Sequence, residues 1–400
     1  METPAGPPQI SLPALFAKFL GFGLLAFGGP VAQIAMVRQR LVAEERWITP
    51  AHFNRLLAVM QALPGPEAHE LCVHMGMIAR GRLGGLLAGL GFMLPGLVLM
   101  LGAAWLYVHL ISGDLRFAGP LLGVQLVVLA VILRAVVRIG QHALESRWLV
   151  VVAAVALAAM ALQVPFWLPL LAGGLVYATG TRPWLAASLA VVAGGLAVLL
   201  HGLAGTLAPS ALAVPGMVSP EGPAGPMALF IAGLKGGLLT FGGAYTAIPY
   251  VRDDTVGRGW LEDSTFLDGI ALAGVLPAPL VIFATFVGYV AGGLPGALAI
   301  TAGMFLPAFG FSLLFFERLE ALVESPALHR FLAGVAAAAV GIIAYGLTEI
   351  ASATWARVSA PPLAAALFAV ALAMVWRLKG AWVTPLVIAL GLGAGALVSF

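Results

Sequence analysis

Long runs of apolar residues follow one another along almost the whole chain, separated by short polar stretches. A helix that crosses a bilayer needs about 20 apolar residues, and nine uninterrupted runs reach or approach that length. They lie at 84–111, 119–140, 147–163, 165–180, 184–203, 296–316, 328–348, 362–377 and 382–399. The pattern predicts an all-α polytopic membrane protein.

Four further apolar segments are interrupted in the middle by glycine or proline. In chain order, break 1 is Phe27–Pro30 in segment 12–41, break 2 is Leu63–Pro66 in 52–79, break 3 is Phe241–Gly243 in 227–252, and break 4 is Leu276–Pro279 in 264–292. Each flanking piece has about 10–15 residues, which is too short to span alone. Kinked spans and re-entrant hairpins both remain open, and together with the nine runs they give about 13 helical segments.

The composition excludes a soluble protein, because hydrophobic residues make up 61% of the chain and charged residues only 9%, against roughly 25% charged in soluble domains. The basic residues behind the net charge of +3 are scattered, so no nucleic-acid partner is expected. No nucleotide-binding motif appears, so we expect no cofactor. His69 and His74 are five residues apart rather than four, and Cys72 is the single cysteine, so we expect no metal site.

The basic residues also predict an orientation, since cytoplasmic loops carry more Lys and Arg. Both readings of the broken segments place the N-terminus in the cytoplasm and the C-terminus outside. The hairpin reading gives the modestly larger excess of basic residues inside.

The chain repeats itself after about 212 residues. Phe27-Gly28-Gly29 matches Phe241-Gly242-Gly243 at an offset of 214, Leu63–Pro66 matches Leu276–Pro279 at 213, and Leu94-Pro95 matches Leu306-Pro307 at 212. Three further matches fall in the same order. We therefore predict a first repeat at 1–204, a linker at 205–226 and a second repeat at 227–400.

The first repeat contains an odd number of crossings under either reading, so the second starts from the opposite side of the membrane. Inverted repeats with paired broken helices are typical of secondary transporters, which bind substrate between the breaks.

The breaks predict an anion site. Helix starts leave backbone N–H groups without partners and carry a partial positive charge, glycine lets the backbone approach a ligand, and proline suits the first helical position. A kink made only for packing is the alternative for any single break. The candidate binding residues are Phe27, Gly28, Gly29, Pro30, Gln33, Pro64, Gly65, Pro66, Lys235, Phe241, Gly242, Gly243, Tyr245, Thr246, Pro277 and Pro279.

Charged side chains inside apolar segments are functional candidates. Glu67 directly follows break 2, where it either complements the helix dipole or couples a proton to transport. Lys235 either snorkels to the interface or attracts an anion. Asp268 is expected to cap a helix start rather than to act directly.

Taken together, several of these motifs resemble those of the chromate ion transporter family. The resemblance rests on Phe27–Ala32, Arg46-Trp47-Ile48 and Leu63–Pro66, and on their counterparts with Phe286–Tyr289 and Phe305–Pro307 in the second half. It implies a bacterial inner-membrane protein that exports chromate, with sulfate as a structural analogue, and about 13 helical segments in antiparallel halves. Two departures stand out: Ala278 occupies a position where glycine is expected, and Lys18 does not match Lys235.

The sequence thus predicts a non-enzymatic secondary transporter of a small oxyanion, chromate or sulfate, embedded in lipid. Proton coupling, an anion channel and a homodimer are left open. A membrane-embedded enzyme using Glu67, His69 and Glu70 is the weaker alternative, because no metal ligand set and no nucleophile paired with a base appears.

Overall fold

The computed structural model describes residues 9–27, 29–111, 115–162, 164, 167–180, 194–195, 224–240, 246–323, 326–378, 380 and 382–397. Within these residues the chain forms fourteen α-helices and no strand, which confirms the all-α prediction. The predicted run at 184–203 lies outside the described residues apart from 194–195, and so do Gly28, Phe241, Gly242, Gly243 and Tyr245.

The helices are α1 Leu12–Leu24, α2 Gly29–Val37, α3 Pro50–Ala62, α4 Glu67–Leu106, α5 Ala118–Ala143, α6 Arg147–Ala161, α7 Trp167–Ala178, α8 Pro226–Leu238, α9 Ala247–Thr255, α10 Asp263–Val275, α11 Phe283–Val323, α12 Pro326–Trp355, α13 Pro361–Arg377 and α14 Val383–Leu397. Short π-helices follow α2 (Arg38–Glu44) and α4 (Tyr107–Ile111), and single 3₁₀ turns lie at Leu115–Phe117 and Leu280–Ile282.

In the described part of the chain, four helical stretches are long and apolar enough to cross a membrane, and they belong to α4, α5, α11 and α12. Several other apolar helices are shorter, between 10 and 17 residues. Among these, α1 begins with the Ser11 side chain accepting a hydrogen bond from the Ala14 N–H, and Ser146 caps α6 in the same way through Leu149. Such caps satisfy donors that the first helical turn leaves open.

All four predicted breaks are confirmed as places where one helix ends and another begins. Break 1 separates α1 from α2, break 2 separates α3 from α4, break 3 falls between α8 and α9, and break 4 lies between α10 and the 3₁₀ turn before α11.

Two predicted pairs of segments are each joined into one kinked helix instead of being separated by a loop. In α4 only Arg80 and Gly81 leave helical geometry, with φ/ψ of −146°/28° and 63°/−159°. In α11 Gly292 and Gly293 do the same at −146°/20° and 62°/−160°. The two kinks lie 212 residues apart and agree within a few degrees.

Other local geometry recurs at nearly the same spacing. Gly23 of α1 lies so close to α4 that a β-carbon would collide with the carbonyl of Phe92 and with Pro95, and Gly237 of α8 lies equally close to Met304 and Pro307. Arg46 adopts a positive φ of 54° at the position where Gly259 adopts 72°, 213 residues later. The halves therefore share backbone conformations even at positions where their residue types differ.

The chain divides into two compact units that do not coincide with the sequence halves. The first comprises residues 1–134, 223–317 and 350–400, and it contains all four breaks. The second comprises 135–222 and 318–349, where Gly173 packs closely against Gly334, Gly341 packs against Ala153, and Arg330 donates to the Tyr177 carbonyl. Each unit contains segments from before and after the predicted linker.

Candidate functional site

Break 1 has the glycine–proline start that the sequence indicated. Gly29 begins α2 with φ +78°, a conformation that strongly favours glycine. Pro30 then occupies the first turn, where its missing N–H costs no hydrogen bond. The Phe27 side chain is 37% exposed on the surface of the chain.

Gln33, one turn into α2, connects break 1 to break 4. Its amide Nε2 donates to the carbonyl of Ala26 at 2.8 Å and to the carbonyl of Ala278 at 2.9 Å. The side chain is buried, and its Oε1 has no hydrogen-bond partner among the described residues. Both amide hydrogens thus hold two backbone segments together in this conformation.

Break 2 is connected to break 3 in the reciprocal way. Pro64, Gly65 and Pro66 are all buried, and the Gly65 N–H donates to the carbonyl of Thr240 at 2.8 Å. Thr240 immediately precedes break 3, and its hydroxyl donates to the Gly236 carbonyl of α8. At +145°, the φ of Gly65 again favours glycine.

The described residues at and beside the breaks are therefore paired crosswise: Gln33, just after break 1, bonds to break 4, and Gly65 of break 2 bonds to Thr240, just before break 3. This is the proximity that the anion-site hypothesis requires, and sequence spacing alone did not specify which breaks would meet. On the far side of break 3, Thr246 is fully buried directly before α9. At break 4, Pro277 and Pro279 are both buried.

The unexpected Ala278 has a structural counterpart. A β-carbon added to Gly96 would collide with the Ala278 methyl, whereas a β-carbon added to Gly65 would lie 3.3 Å from that of Ala308. Gly65 and Ala278 correspond at an offset of 213, and Gly96 and Ala308 at 212. Break 2 thus places a glycine against an alanine methyl of α11, and break 4 places an alanine methyl against a glycine of α4.

Two acids follow break 2 in the first turn of α4. Glu67 is 6% exposed and Glu70 is completely buried. The Glu70 carboxylate folds back over Gly65, so that a β-carbon there would lie 2.5 Å from Oε1. Neither Glu70 oxygen has a hydrogen-bond partner among the described residues. Sequence reasoning singled out Glu67 and gave Glu70 only a secondary place.

His69 and His74 share this helix. The His69 ring packs edge-on against Phe305 and Phe309 of α11, with centroid distances of 5.0 and 4.7 Å. Its contacts with α11 are therefore aromatic. Within the described part of the chain, no three His, Cys, Asp or Glu side chains converge as a metal site would require.

Lys18 and Lys235, one half-buried lysine in each half, are both ion-paired. Lys235 lies 2.8 Å from Asp254 at the end of α9, and Asp254 also contacts Arg258 at 3.2 Å. Lys18 pairs with Glu45, which follows the π-helix after α2. Although the two lysines do not match in sequence, each binds an acid from the next helical segment of its own half.

The expected capping role of Asp268 is wrong, because Asp268 lies in the middle of α10 and Glu262 is the residue at that helix start. Its buried carboxylate accepts hydrogen bonds from the Tyr107 hydroxyl and the Gln125 amide, both at 2.8 Å. The Gln125 oxygen accepts from Arg357 at 2.9 Å. This network was missed, although a glutamine within the apolar run 119–140 was a usable signal.

Comparison with known proteins identifies the family. The model described as "Chromate transporter" matches residues 13–178 and 227–396. A chromate transport protein of Pseudomonas aeruginosa is 55% identical over 99% of this chain and 94% of its own length. One from Cupriavidus metallidurans is 31% identical over 84% and 82%, and a probable one from Synechococcus elongatus is 29% identical over 98% and 96%. No solved structure matches the chain.

Proposed function

The chain belongs to the chromate transporter family, and from that premise we propose that it is a secondary transporter that exports chromate through a site built from its four helix breaks. The two predicted halves, 1–204 and 227–400 around the linker 205–226, are inverted repeats in this proposal. The N-terminus faces the cytoplasm of a bacterial inner membrane and the C-terminus faces the periplasm. Sulfate, which shares the tetrahedral dianion geometry, is a second substrate.

The observation that carries the proposal is the crosswise pairing of the breaks. Gly65 binds the backbone before break 3, and Gln33 binds the backbone at break 4. Broken helices that meet in this way direct backbone dipoles toward a common region, and helix starts attract anions. A protein with few charges thereby obtains an anion site without placing free cations in lipid.

The roles of the candidate residues follow from their positions. Backbone groups of Phe27–Pro30, Pro64–Pro66, Phe241–Gly243 and Pro277–Pro279 line the site, with Tyr245 and Thr246 adding hydroxyls at the start of α9. Gln33 fixes the separation of the first and fourth breaks, so that the anion fits between them. Lys235 raises the local positive potential while Asp254 balances its charge.

Glu67 couples transport to protons in this proposal, since it lies in the first turn after break 2 and is buried. The Glu67 carboxylate is ionised or protonated according to the proton concentration on the side to which it is open. Its charge changes the electrostatic potential at the anion site. The substitution Glu67→Gln removes the group that takes up the proton and keeps the size and shape of the side chain.

Uptake of labelled chromate into everted membrane vesicles, with and without a proton gradient, tests the proposal. Accumulation that depends on the gradient and saturates with rising chromate concentration supports a carrier, whereas flux that does not saturate would show a channel. Replacing Gly28 or Gly242 with Leu should abolish uptake with membrane insertion retained. Gly21→Leu is the control, because its β-carbon position meets no atom within 4 Å. Uptake that survives at Gly28 and Gly242 would exclude the breaks as the site.

A further inference from the structure

Glu70 is the most anomalous charged residue among those described. It is completely buried, its two oxygens have no hydrogen-bond partner within the described residues, and its carboxylate lies over the backbone of Gly65 in break 2. A buried charge without donors is costly. A side chain in this setting therefore needs a reason beyond the fold.

The helix dipole does not supply that reason. Glu67, three residues earlier on the same face of α4, already places an acid in the first turn. A second carboxylate beside it adds repulsion when both are ionised.

The second half shows that the fold does not need either acid. At an offset of 213, Glu67 corresponds to Leu280 and Glu70 to Phe283, and both are buried apolar residues. Phe283 packs edge-to-face against Phe266, with a centroid distance of 5.6 Å. The turn after break 2 thus carries two acids, whereas the corresponding 3₁₀ turn after break 4 and the first residue of α11 carry none.

We propose that Glu67 and Glu70 form one two-carboxylate site that holds a shared proton while the oxyanion is bound, with Glu70 as its buried member. The inference rests on the proposed anion site at the breaks and deepens it. A dianion at break 2 repels an ionised pair, so anion binding and protonation strengthen each other. Linkage makes this effect reciprocal: added protons tighten anion binding by the factor by which the anion tightens proton binding.

The surroundings leave the pair as the group that responds to the anion. From α11, Ala308 and the aromatic rings of Phe305 and Phe309 face this region and carry no charge. The other titratable groups nearby are His69 and His74 on α4 and His52 on α3, which interacts electrostatically with His74. His69 is enclosed by aromatic rings.

Binding of a proton together with the anion determines how much charge is transported and which gradient drives export. A proton that binds together with the anion travels with it, so each chromate dianion moves with one net negative charge. An interior-negative potential drives that charge outward. The carrier is then powered by the membrane potential, and an exchange of one proton inward for each anion outward is not its mechanism.

Isothermal titration of chromate into the purified full-length protein in lipid nanodiscs tests the inference. Measurements at one pH, in buffers of different ionisation enthalpy, give the number of protons taken up on binding. Wild type should take up close to one proton more than Glu70→Gln, which provides the baseline for protons exchanged by chromate itself. For each unit of pH decrease, the affinity of the wild type should rise by up to about tenfold more than that of Glu70→Gln. Glu145→Gln, which removes an exposed acid between α5 and α6, should behave as wild type.

The outcomes separate this inference from the function on which it rests. Equal proton uptake by wild type and Glu70→Gln, with chromate bound by both, overturns the shared-proton site and leaves the anion site standing. Proton release on binding overturns it as well. Absence of chromate binding to wild type contradicts the proposed function itself. Should Glu70→Gln not fold, infrared difference spectra of wild type decide the matter, since a protonated-carboxyl band must appear when chromate is added, and its absence overturns the inference.

Discussion

The exchanged alanine–glycine contacts give the sharpest test of the fold around the breaks. In Gly96→Ala, the new β-carbon would collide with the Ala278 methyl and lie 3.2 Å from the Ala278 Cα and 3.4 Å from the Pro277 carbonyl. These are mainly backbone neighbours, so either α4 or break 4 has to move. Overpacking of this kind costs about 1–3 kcal/mol, and chromate uptake should fall because break 4 shifts.

A second substitution, Ala278→Gly, removes the obstructing methyl and completes a double-mutant cycle. Ala278→Gly alone loses one buried methyl and gains chain entropy on unfolding, which together cost about 1–2 kcal/mol. In the double variant the collision disappears, while the alanine gained in the helix offsets the glycine gained in the loop. We therefore expect the double variant to lie near wild type, with a coupling of about 2 kcal/mol or more.

The assay is the fraction of detergent-solubilised protein that remains monodisperse after heating, measured for wild type, both single variants and the double variant, together with chromate uptake. Gly102→Ala, in the same helix, is the matched control because its β-carbon position meets no atom within 4 Å. Additive effects of the two substitutions, or a Gly96→Ala variant as stable as Gly102→Ala, would refute the contact between α4 and break 4.

Two further predictions follow from the geometry. Gly293→Ala should destabilise the protein by about 1–3 kcal/mol through backbone strain alone, since φ is +62° and the nearest atom to the new β-carbon lies at 3.9 Å; Gly310→Ala, in the same helix and in open space, should be neutral or slightly stabilising in the same heating assay. Lys235→Met should lower stability because it removes the nearer of the two cations that pair with the buried Asp254 and leaves only Arg258 at 3.2 Å. Adding Asp254→Asn should restore stability but not chromate uptake, and recovery of both would mean that Lys235 serves only the ion pair.

Much of this architecture is predictable from the sequence because hydrophobic runs and helix-breaking residues act locally. Every break was located by glycine and proline, and each one separates two helices. The kink at Arg80-Gly81 was less predictable, since two residues leave helical geometry within one continuous helix. The polar residues there suggested a loop.

The contacts between breaks were beyond sequence reasoning for a different reason. Gln33 was recognised as a polar residue one turn into α2, but its bond to Ala278 joins positions 245 residues apart. Only the packing of both halves determines that partner. Asp268 was misassigned in the same way, because Tyr107 and Gln125, which donate to it, come from distant helices.

The differences between the halves bear on how such a carrier is biased. In an inverted repeat with identical halves, the two opposite-facing conformations would have equal free energy, because each converts into the other when the halves exchange roles. Here the backbone kinks agree within a few degrees, yet Glu67 and Glu70 correspond to Leu280 and Phe283 in the second half. A ligand or proton shifts a two-state equilibrium only through its differential affinity for the two states. We infer that the acids of break 2 bind protons with different affinity in the two conformations, so that protonation favours one facing direction. The shared backbone geometry keeps the two conformations close in free energy.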